Sequence, residues 1–232
     1  MISAKNALKR LANKKKAAVL QRFFKTGPGE YAEGDRFLGV TVPKIRMLVK
    51  QFHHIGIQEV ARLLRSSIHE ERLLALLILI EKYKKASAQE QKRIYDVYMR
   101  HTTYINNWDL IDLSAGHIVG AFLADKSKKP LYILARSKIL WERRIAILST
   151  FYYIKQHSFK DSLKIAKILL LDKEDLIHKA VGWMLREIGK RDQAIEEHFL
   201  KQCYAKMPRT MLRYAIERFP EPRRKAYLQG SA

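Results

Sequence analysis

Residues 106–122 read NNWDLIDLSAGHIVGAF and carry apolar side chains at the three- and four-residue spacing of one helix face. This spacing predicts a single helix. Asn106 or Asn107 can cap its first turn, because an asparagine side chain accepts a hydrogen bond from an otherwise unpaired backbone N–H. Trp108 and Asp112 are four residues apart, so they lie on one face, one turn from each other. Taken alone, such a pair is most often a core tryptophan beside a solvated aspartate.

Three other segments share the pattern of this helix. Together the four are ERLLALLILIEKY, NWDLIDLSAGHIV, RRIAILSTFYYIK and HKAVGWMLREIGK. When they are aligned, Arg72, Trp108, Arg144 and Lys179 fall at equivalent positions, separated by 36, 36 and 35 residues. A period of this length, built from two helices, is typical of HEAT-like repeats, in which each helix pair packs on its neighbours. The sequence therefore predicts an all-α fold, an α-solenoid of HEAT-like repeats that forms one domain over residues 1–232 and has a basic concave face.

The register of the repeats predicts which side chains share a face. Asp112 and Trp183 both lie four residues after the aligned position, so they are one turn further along the same face. A core-facing position should be apolar in every repeat, whereas the aligned position is charged or aromatic in all four. We therefore expect this position to line the open face, where stacked repeats would bring Trp108, Asp112, Arg144 and Trp183 together.

The rest of the chain reads as further helices separated by turn signals. Residues 4–25 predict a first helix, which the glycines and proline of the loop at residues 26–35 end. The alternative for this loop is a phosphate-binding loop, but no strand precedes it and no Gly-Lys-Ser/Thr follows it. Another helix is expected to begin at Thr41 and to run to Phe52. Polar residues predict further helix starts at five places: Ser67 with Glu70, Ser87 with Glu90, Ser137, Ser158 with Asp161, and Asp172 with Asp175.

The charge of the chain is strongly one-sided. The formal net charge is +22 at pH 7 and the isoelectric point is about 10.1. Such an excess is typical of proteins with a polyanionic partner, and nucleic acid is the first expectation. An anionic membrane surface is a weaker alternative, because no strongly amphipathic segment rich in tryptophan or phenylalanine stands out.

Several other classes of protein are disfavoured. The longest apolar run, Leu73–Ile80, has eight residues, whereas a membrane-spanning helix needs about 18. The basic N-terminal segment lacks the apolar core of a secretory signal, although an amphipathic transit peptide stays open beside a first helix. The only cysteine, Cys203, cannot form an intrachain disulfide and fits a reducing cytosol. No second cysteine and no histidine pair at ligand spacing is present, so we expect neither a metal nor another cofactor.

A carboxylate within a basic surface that faces DNA has a chemical use. Because Asp112 would repel phosphate, its place beside Trp108 suggests that it stabilises positive charge that develops on a sugar. When an N-glycosidic bond breaks, the deoxyribose becomes oxocarbenium-like, and a nearby carboxylate can stabilise it and orient a water molecule. Tryptophans at such a site can stack on a base or lie against a sugar.

The segments NWDLIDLSA, LWERRIAIL and HKAVGWMLREIGK resemble the signature segments of the AlkD-type alkylpurine DNA glycosylases, a family of HEAT-like repeat proteins. FLGVTVPKIRMLVK, at residues 37–50, is similar to the N-terminal segment of that family. The resemblance covers about residues 20–217. It implies a monofunctional glycosylase that removes cationic N3- or N7-alkylated purines from duplex DNA without needing to flip the base. No matched catalytic residue is a lysine, so no lyase step is expected.

The resemblance also implies roles for particular residues. Trp108, Asp112 and Trp183 match the residues around the deoxyribose of the lesion, and Asp112 matches the catalytic carboxylate. Arg144 matches a basic residue that contacts DNA beside the lesion and supports activity, and Arg186 matches a further basic residue on the DNA-facing side. The aligned positions add Arg72 and Lys179 as expected DNA contacts. We expect a monomer in the bacterial cytosol, at the nucleoid.

The chain departs from the family at one position. The family has a tyrosine near the lesion in its N-terminal helix, whereas QRFFK places Phe23 there, without a hydroxyl. Either the ring of Phe23 suffices, or Tyr31 from the longer loop that follows takes its place, or this DNA contact is absent and Phe23 and Phe24 are core residues. The alternative function is a non-catalytic HEAT-like repeat scaffold that binds DNA or RNA, in which Asp112 is a structural cap or a salt-bridge partner.

Overall fold

The computed structural model describes residues 2–231, and the chain divides into two compact units, Met1–Ser114 and Ala115–Ala232. The described residues of both units form helices and contain no β-strand, only an isolated bridge between Arg36 and Ile68. The predicted all-α fold is thus confirmed. The helices of the first unit are α1 Ala4–Arg10, α2 Lys14–Phe23, α3 Val42–Phe52, α4 Ile57–Leu64, α5 His69–Lys85, α6 Ala88–Arg100 and α7 Trp108–Ala115.

The second unit opens with a π-helical turn, Gly116–Gly120, directly after α7. Residues 106–122 therefore contain the predicted helix, but it begins at Trp108 and changes from α- to π-helical after Ala115. The helices that follow are α8 Lys129–Leu134, α9 Leu140–Ser149, α10 Phe151–Ile154, α11 Lys160–Ile168, α12 Asp175–Gly189, α13 Gln193–Cys203, α14 Arg209–Ala215 and α15 Glu221–Gln229.

The prediction of one helix over residues 4–25 is wrong, because the chain turns between α1 and α2. Asn13 ends the turn: its side chain accepts a hydrogen bond from the Lys16 N–H at 2.9 Å, which caps α2. The Asn13 N–H donates to the Leu38 carbonyl at 2.8 Å and so ties the turn to the loop before α3. The loop at residues 26–35 is non-helical as predicted, and α3 follows Thr41 and ends at Phe52 as predicted.

The core of the first unit surrounds α5, which packs against α3 and α4. Every residue of α5 from His69 to Ile80 is buried, including Glu70 and Glu71. The expected capping box of Ser67 and Glu70 is wrong. Glu70 instead accepts hydrogen bonds from the backbone N–H groups of residues 38–40 at 2.8–3.1 Å, and so satisfies a turn far along the chain.

Of the other predicted helix starts, the capping box of Ser87 and Glu90 is confirmed, because both reciprocal hydrogen bonds are present. The remaining three are wrong. The residues at the N-cap positions of α9, α11 and α12 are Ile139, Phe159 and Glu174. The side chains expected as caps mostly bind other partners: Asp161 accepts from the Tyr132 hydroxyl, Asp172 pairs with Arg143, and Ser137 donates to Glu142.

The second unit is centred on α12, which packs against α9, α13 and α14. Its helices approach closely where glycines leave room. A Cβ on Gly182 of α12 would lie 2.5 Å from the Met211 carbonyl oxygen, and a Cβ on Gly120 would lie 2.2 Å from that of Ser149. These contacts fix α12 and the π-helical turn within the unit.

Candidate functional site

The first two turns of α7 carry the two residues that the sequence singles out. The Trp108 N–H donates to the side-chain oxygen of Asn107 at 2.8 Å, and Asn107 itself is buried. Trp108 and Asp112 are both half-buried and lie one turn apart on α7. Neither residue is fully buried.

Aromatic groups hold the Trp108 ring. Phe24 stacks on it with 5.2 Å between ring centroids and 23° between planes, and Phe23 meets it edge-on at 6.1 Å. The indole N–H donates to the Tyr31 hydroxyl at 3.3 Å. Phe23 is 61% exposed, so the interpretation of Phe23 as a core residue is wrong, whereas Phe24 at 7% is core. Both candidates for the missing tyrosine, Phe23 and Tyr31, therefore contact Trp108.

A buried network of charges lies beneath these rings. Asp35 accepts two hydrogen bonds from Arg72, at 2.8 and 2.9 Å, and also contacts the His69 ring at 2.9 Å. The other ring nitrogen of His69 lies 2.8 Å from Asp109, the neighbour of Trp108. Burial alone would raise the pKa of Asp35, but the hydrogen bond from His69 and the charge of Arg72 outweigh it and hold that pKa below its usual value.

This network corrects the expectation for Arg72. Its side chain is 4% exposed and donates to Asp35 and to the Ser66 carbonyl oxygen. The guanidinium is thus already paired in the core of the first unit, and we no longer assign it a phosphate contact. At Arg72, the charged residue at the aligned position belongs to a buried ion pair and does not indicate an open face.

The network has no recognisable signal in the sequence. Its members come from three parts of the chain: Asp35 lies in a loop, and His69 and Asp109 lie in the first turns of α5 and α7. His69 is 34 residues from Asp35 and 40 residues from Asp109. No local pattern links them, and each alone looks like an ordinary polar residue at the end of an element.

The surface of the first unit is cationic at α2 and α3. Neither helix contains an acidic residue, and α2 has no buried residue. Phe23 lies at the C-terminal end of α2, so this cationic helix leads directly to the Trp108 ring. The sequence signal for this cationic helix is the run of three lysines at residues 14–16, which precedes apolar residues. The exposed cations of the two helices are Lys14, Lys15, Lys16, Arg22, Lys44, Arg46 and Lys50.

In the second unit, Arg144 lies on α9 and is 5% exposed. One of its terminal nitrogens donates to the Leu176 carbonyl oxygen on α12 at 2.5 Å. The expectation that the aligned position faces open solvent is therefore wrong for Arg144 as well, because α9 packs against α12. Its contact with DNA stays a prediction.

Trp183 lies on α12 and is half-buried. Its indole N–H donates to Glu187 at 3.3 Å, and its ring lies 5.7 Å from that of Phe151. Burial opposes ionisation of Glu187, but hydrogen bonds from Lys190 and Arg191 outweigh it and keep the Glu187 pKa below its usual value. Trp183 is thus packed beside a charged carboxylate.

The two remaining predicted DNA contacts are in ion pairs. Lys179 pairs with Asp175 at 2.8 Å and its side chain is 41% exposed, whereas Arg186 pairs with Glu217. The pair of Lys179 is exposed, and exposed pairs are worth little in water, so a phosphate can compete for this cation. The Arg186 side chain is only 17% exposed. The predicted convergence of Asp112 with residues of the second unit stays a prediction.

No group of three or more His, Cys, Asp or Glu side chains within residues 2–231 is arranged to hold a metal ion. Over the same residues, no helix is both long and apolar enough to cross a membrane.

The described residues define an all-α protein built of short helices. The chain belongs to the DNA alkylation repair enzyme family, whose model matches residues 4–219. DNA is therefore its partner, and the predicted membership is confirmed. A sequence comparison with curated proteins found no match.

Solved structures support the same fold. A predicted DNA alkylation repair enzyme from Enterococcus faecalis is 17% identical and superposes with a TM-score of 0.69, over 90% of this chain and 97% of that one. AlkD2 from Streptococcus mutans is 19% identical with a TM-score of 0.54, over 94% of this chain and 100% of that one. The similarity to these helical proteins concerns the fold.

Proposed function

We propose that this protein is a monofunctional DNA glycosylase, which hydrolyses the bond between deoxyribose and a cationic N3- or N7-alkylated purine in duplex DNA. The observation that carries the proposal is the placement of Asp112. Its half-buried carboxylate lies one turn from Trp108, an indole that Phe23, Phe24 and Tyr31 hold in place. The cationic surface of the same unit can bring the DNA backbone to these residues.

In the proposed reaction Asp112 stabilises the oxocarbenium-like deoxyribose and orients the attacking water. Trp108 lies against the sugar. A cationic purine is already a good leaving group, so the reaction needs no general acid and the base need not be flipped into a pocket. No lysine takes part, and the product is an abasic site without strand cleavage.

To residues of the second unit we assign the roles that the family resemblance implies. Trp183 packs against a DNA sugar, and Arg144 contacts the DNA backbone once it gives up its hydrogen bond to the Leu176 carbonyl oxygen. Arg186 and Lys179 bind phosphates, and each exchanges its carboxylate partner for DNA. A phosphate offers these cations the same kind of charge-assisted hydrogen bond as the carboxylate that it replaces.

The test is release of 7-methylguanine from a duplex, measured for the wild type and for Asp112→Asn. This substitution keeps the shape of the side chain and removes its charge, so the release rate should fall about 10²–10³-fold with DNA affinity retained. Asp96→Asn is the matched control, because Asp96 is a half-buried aspartate of the same unit that pairs with Lys92 at 2.7 Å. Undiminished release by Asp112→Asn would refute the assignment.

A second experiment tests the absence of a lyase step. Borohydride added during turnover traps the covalent adduct that an amine nucleophile forms with the sugar. We expect no trapped protein–DNA species and strand breaks only after alkaline treatment. A trapped adduct would show that an amine attacks the sugar.

The alternative is a DNA-binding scaffold without catalysis, and the phenylalanine at position 23 favours it, since the hydroxyl that the family carries there is missing. The alternative predicts binding without turnover. Binding constants should fall with salt with a log–log slope of about −0.9 per phosphate contact. Base release from the lesion duplex by the wild type would rule it out.

We also propose that the chain acts as a monomer and as one domain in the bacterial cytosol. This proposal follows from DNA as the partner and from one family model spanning both units. Light scattering during gel filtration, with and without duplex DNA, tests the oligomeric state.

A further inference from the structure

His69, the first residue of α5, is 2% exposed, and both of its ring nitrogens face carboxylates. Nδ1 lies 2.9 Å from Asp35 and Nε2 lies 2.8 Å from Asp109. A carboxylate only accepts hydrogen bonds, so each ring nitrogen must carry a proton and donate it. Although burial favours the neutral ring, the hydrogen bonds to Asp109 and Asp35 outweigh burial and raise the pKa of His69 to about 9. The ring is therefore a buried cation that pairs with Asp35 and Asp109, and Asp35 in turn pairs with Arg72.

The same ring begins a stack that ends at Trp108. Phe37 lies over His69 with 4.4 Å between centroids and 22° between planes. Phe24 stacks on Phe37 at 5.0 Å and on Trp108 at 5.2 Å. His69 thus reaches α7 by two routes, through the Asp109 carboxylate and through the ring stack, and both end at adjacent residues of its first turn.

We propose that His69 is a positioning residue for base excision. Its cationic ring holds Asp109 and, through the stack, the plane of the Trp108 indole. The face of α7 that carries Trp108 and Asp112 is therefore held in place before DNA binds. This inference rests on the proposed glycosylase function.

Stability alone gives little reason for this arrangement. A buried ion pair is costly to desolvate, and well-packed apolar side chains often stabilise a core as well or better. The charged ring instead fixes orientation. Its two hydrogen bonds hold it in one plane and hold the Asp109 carboxylate, and the stacked rings of Phe37 and Phe24 follow that plane. Catalysis is sensitive to such placement, since a displacement of about 1 Å can cost about 10²-fold in rate.

The test is the variant His69→Gln, which is uncharged and cannot donate along both imidazole directions at once. Base release is measured in single turnover, with protein in excess over a duplex that contains 7-methylguanine. We expect the rate constant to fall about 10- to 100-fold, with the Kd for DNA unchanged, because the phosphate contacts lie elsewhere.

Glu71→Gln is the matched control. Glu71 is a neighbouring residue of α5, is equally buried, and pairs with Lys5 of α1 at 3.1 Å. It also loses one buried charge, so it should lower the free energy of unfolding without a comparable fall in the rate constant. If the rate constant falls equally in both variants, His69 acts only through the stability of the fold and the proposal is overturned.

A readout without activity separates this inference from the proposed function. With Trp141 and Trp183 replaced by phenylalanine, Trp108 is the only tryptophan left. His69→Gln in this background should make Trp108 more accessible to acrylamide quenching, whereas Glu71→Gln should not.

If the wild type releases no base, the glycosylase function fails, and the quenching comparison still tests the positioning of Trp108. If the wild type is active and His69→Gln changes neither the rate constant nor the quenching, the inference is overturned and the proposed function stands.

Discussion

Glu196 of α13 offers a stability prediction with a clear sign. It is 1% exposed, and its Oε1 has no hydrogen-bond partner among the described residues. The carboxyl lies against Gly189, at whose position a Cβ would come within 1.7 Å of Oε2. Burial, together with the charge of Glu197, raises the pKa of Glu196 to about 9, although Arg186 opposes the shift. The folded protein therefore keeps this carboxyl neutral.

The size of the effect on the free energy of unfolding follows from the pKa of Glu196 in the folded and in the unfolded protein. The folded pKa of about 9 lies above the ordinary value of 4.5, so the folded state holds a proton that the unfolded state loses above pH 4.5. The stability from this group is thus fully present below pH 4.5 and is lost as pH rises through 9. At 1.36 kcal/mol per pH unit, the loss is about 3 kcal/mol at pH 7 and about 6 kcal/mol above pH 9.

Glu196→Gln removes this titration while it keeps the size of the side chain. We expect the variant to be more stable than the wild type by about 3 kcal/mol at pH 7, and by under about 1 kcal/mol at pH 5. Urea unfolding followed by circular dichroism at several pH values measures the difference.

Glu221→Gln makes the same chemical change at an exposed glutamate of the second unit, and serves as the control. Its effect should stay within about 0.5 kcal/mol at every pH. The reasoning is refuted if Glu196→Gln shifts stability equally at pH 5 and pH 7, or if it destabilises the protein at alkaline pH.

Two further predictions concern single local contacts. Gly120→Ala should destabilise the second unit by about 1–3 kcal/mol and lower its melting temperature, because the new Cβ would lie 2.2 Å from the Ser149 carbonyl oxygen; an unchanged melting curve would contradict this. Ser87→Ala should cost about 1 kcal/mol in urea unfolding, since it removes the capping box with Glu90. Ser158→Ala, at a similar motif that caps no helix, should cost less, and equal losses would argue against the assignment.

Helices could be predicted from the sequence where the deciding interactions are local. The capping box of Ser87 and Glu90 closes within four residues, so the pattern is sufficient. Glu70 and Asp161 stand in similar patterns but bind groups about 30 residues away in the chain, at residues 38–40 and at Tyr132. A carboxylate three residues after a serine is therefore ambiguous until its tertiary partner is known.

The prediction that the aligned position of the repeats faces open solvent was wrong for a related reason. A charged residue within an apolar helix indicates an exposed face only if no partner is buried with it. Arg72 finds Asp35, and Arg144 finds the Leu176 carbonyl oxygen, so both guanidinium groups lie in cores. The pattern showed that these positions are unusual, but it could not show whether a ligand or the protein itself supplies the partner.

The loop at residues 26–35 makes two contacts that lead toward the first turn of α7. Its own carboxylates order it, since Glu30 and Glu33 accept hydrogen bonds from the N–H groups of Gly27 and Gly29. From this ordered loop, one residue accepts the hydrogen bond of the Trp108 indole and another pairs with the His69 ring; these residues are Tyr31 and Asp35. Both contacts lead to the first turn of α7. The loop therefore contacts Trp108 directly through Tyr31, and it reaches Asp109 through Asp35 and His69, while the ring of Phe23 is exposed beside the indole. The Trp108 indole N–H thus has its hydrogen-bond partner in the loop, so a phenylalanine at position 23 does not leave it unpaired.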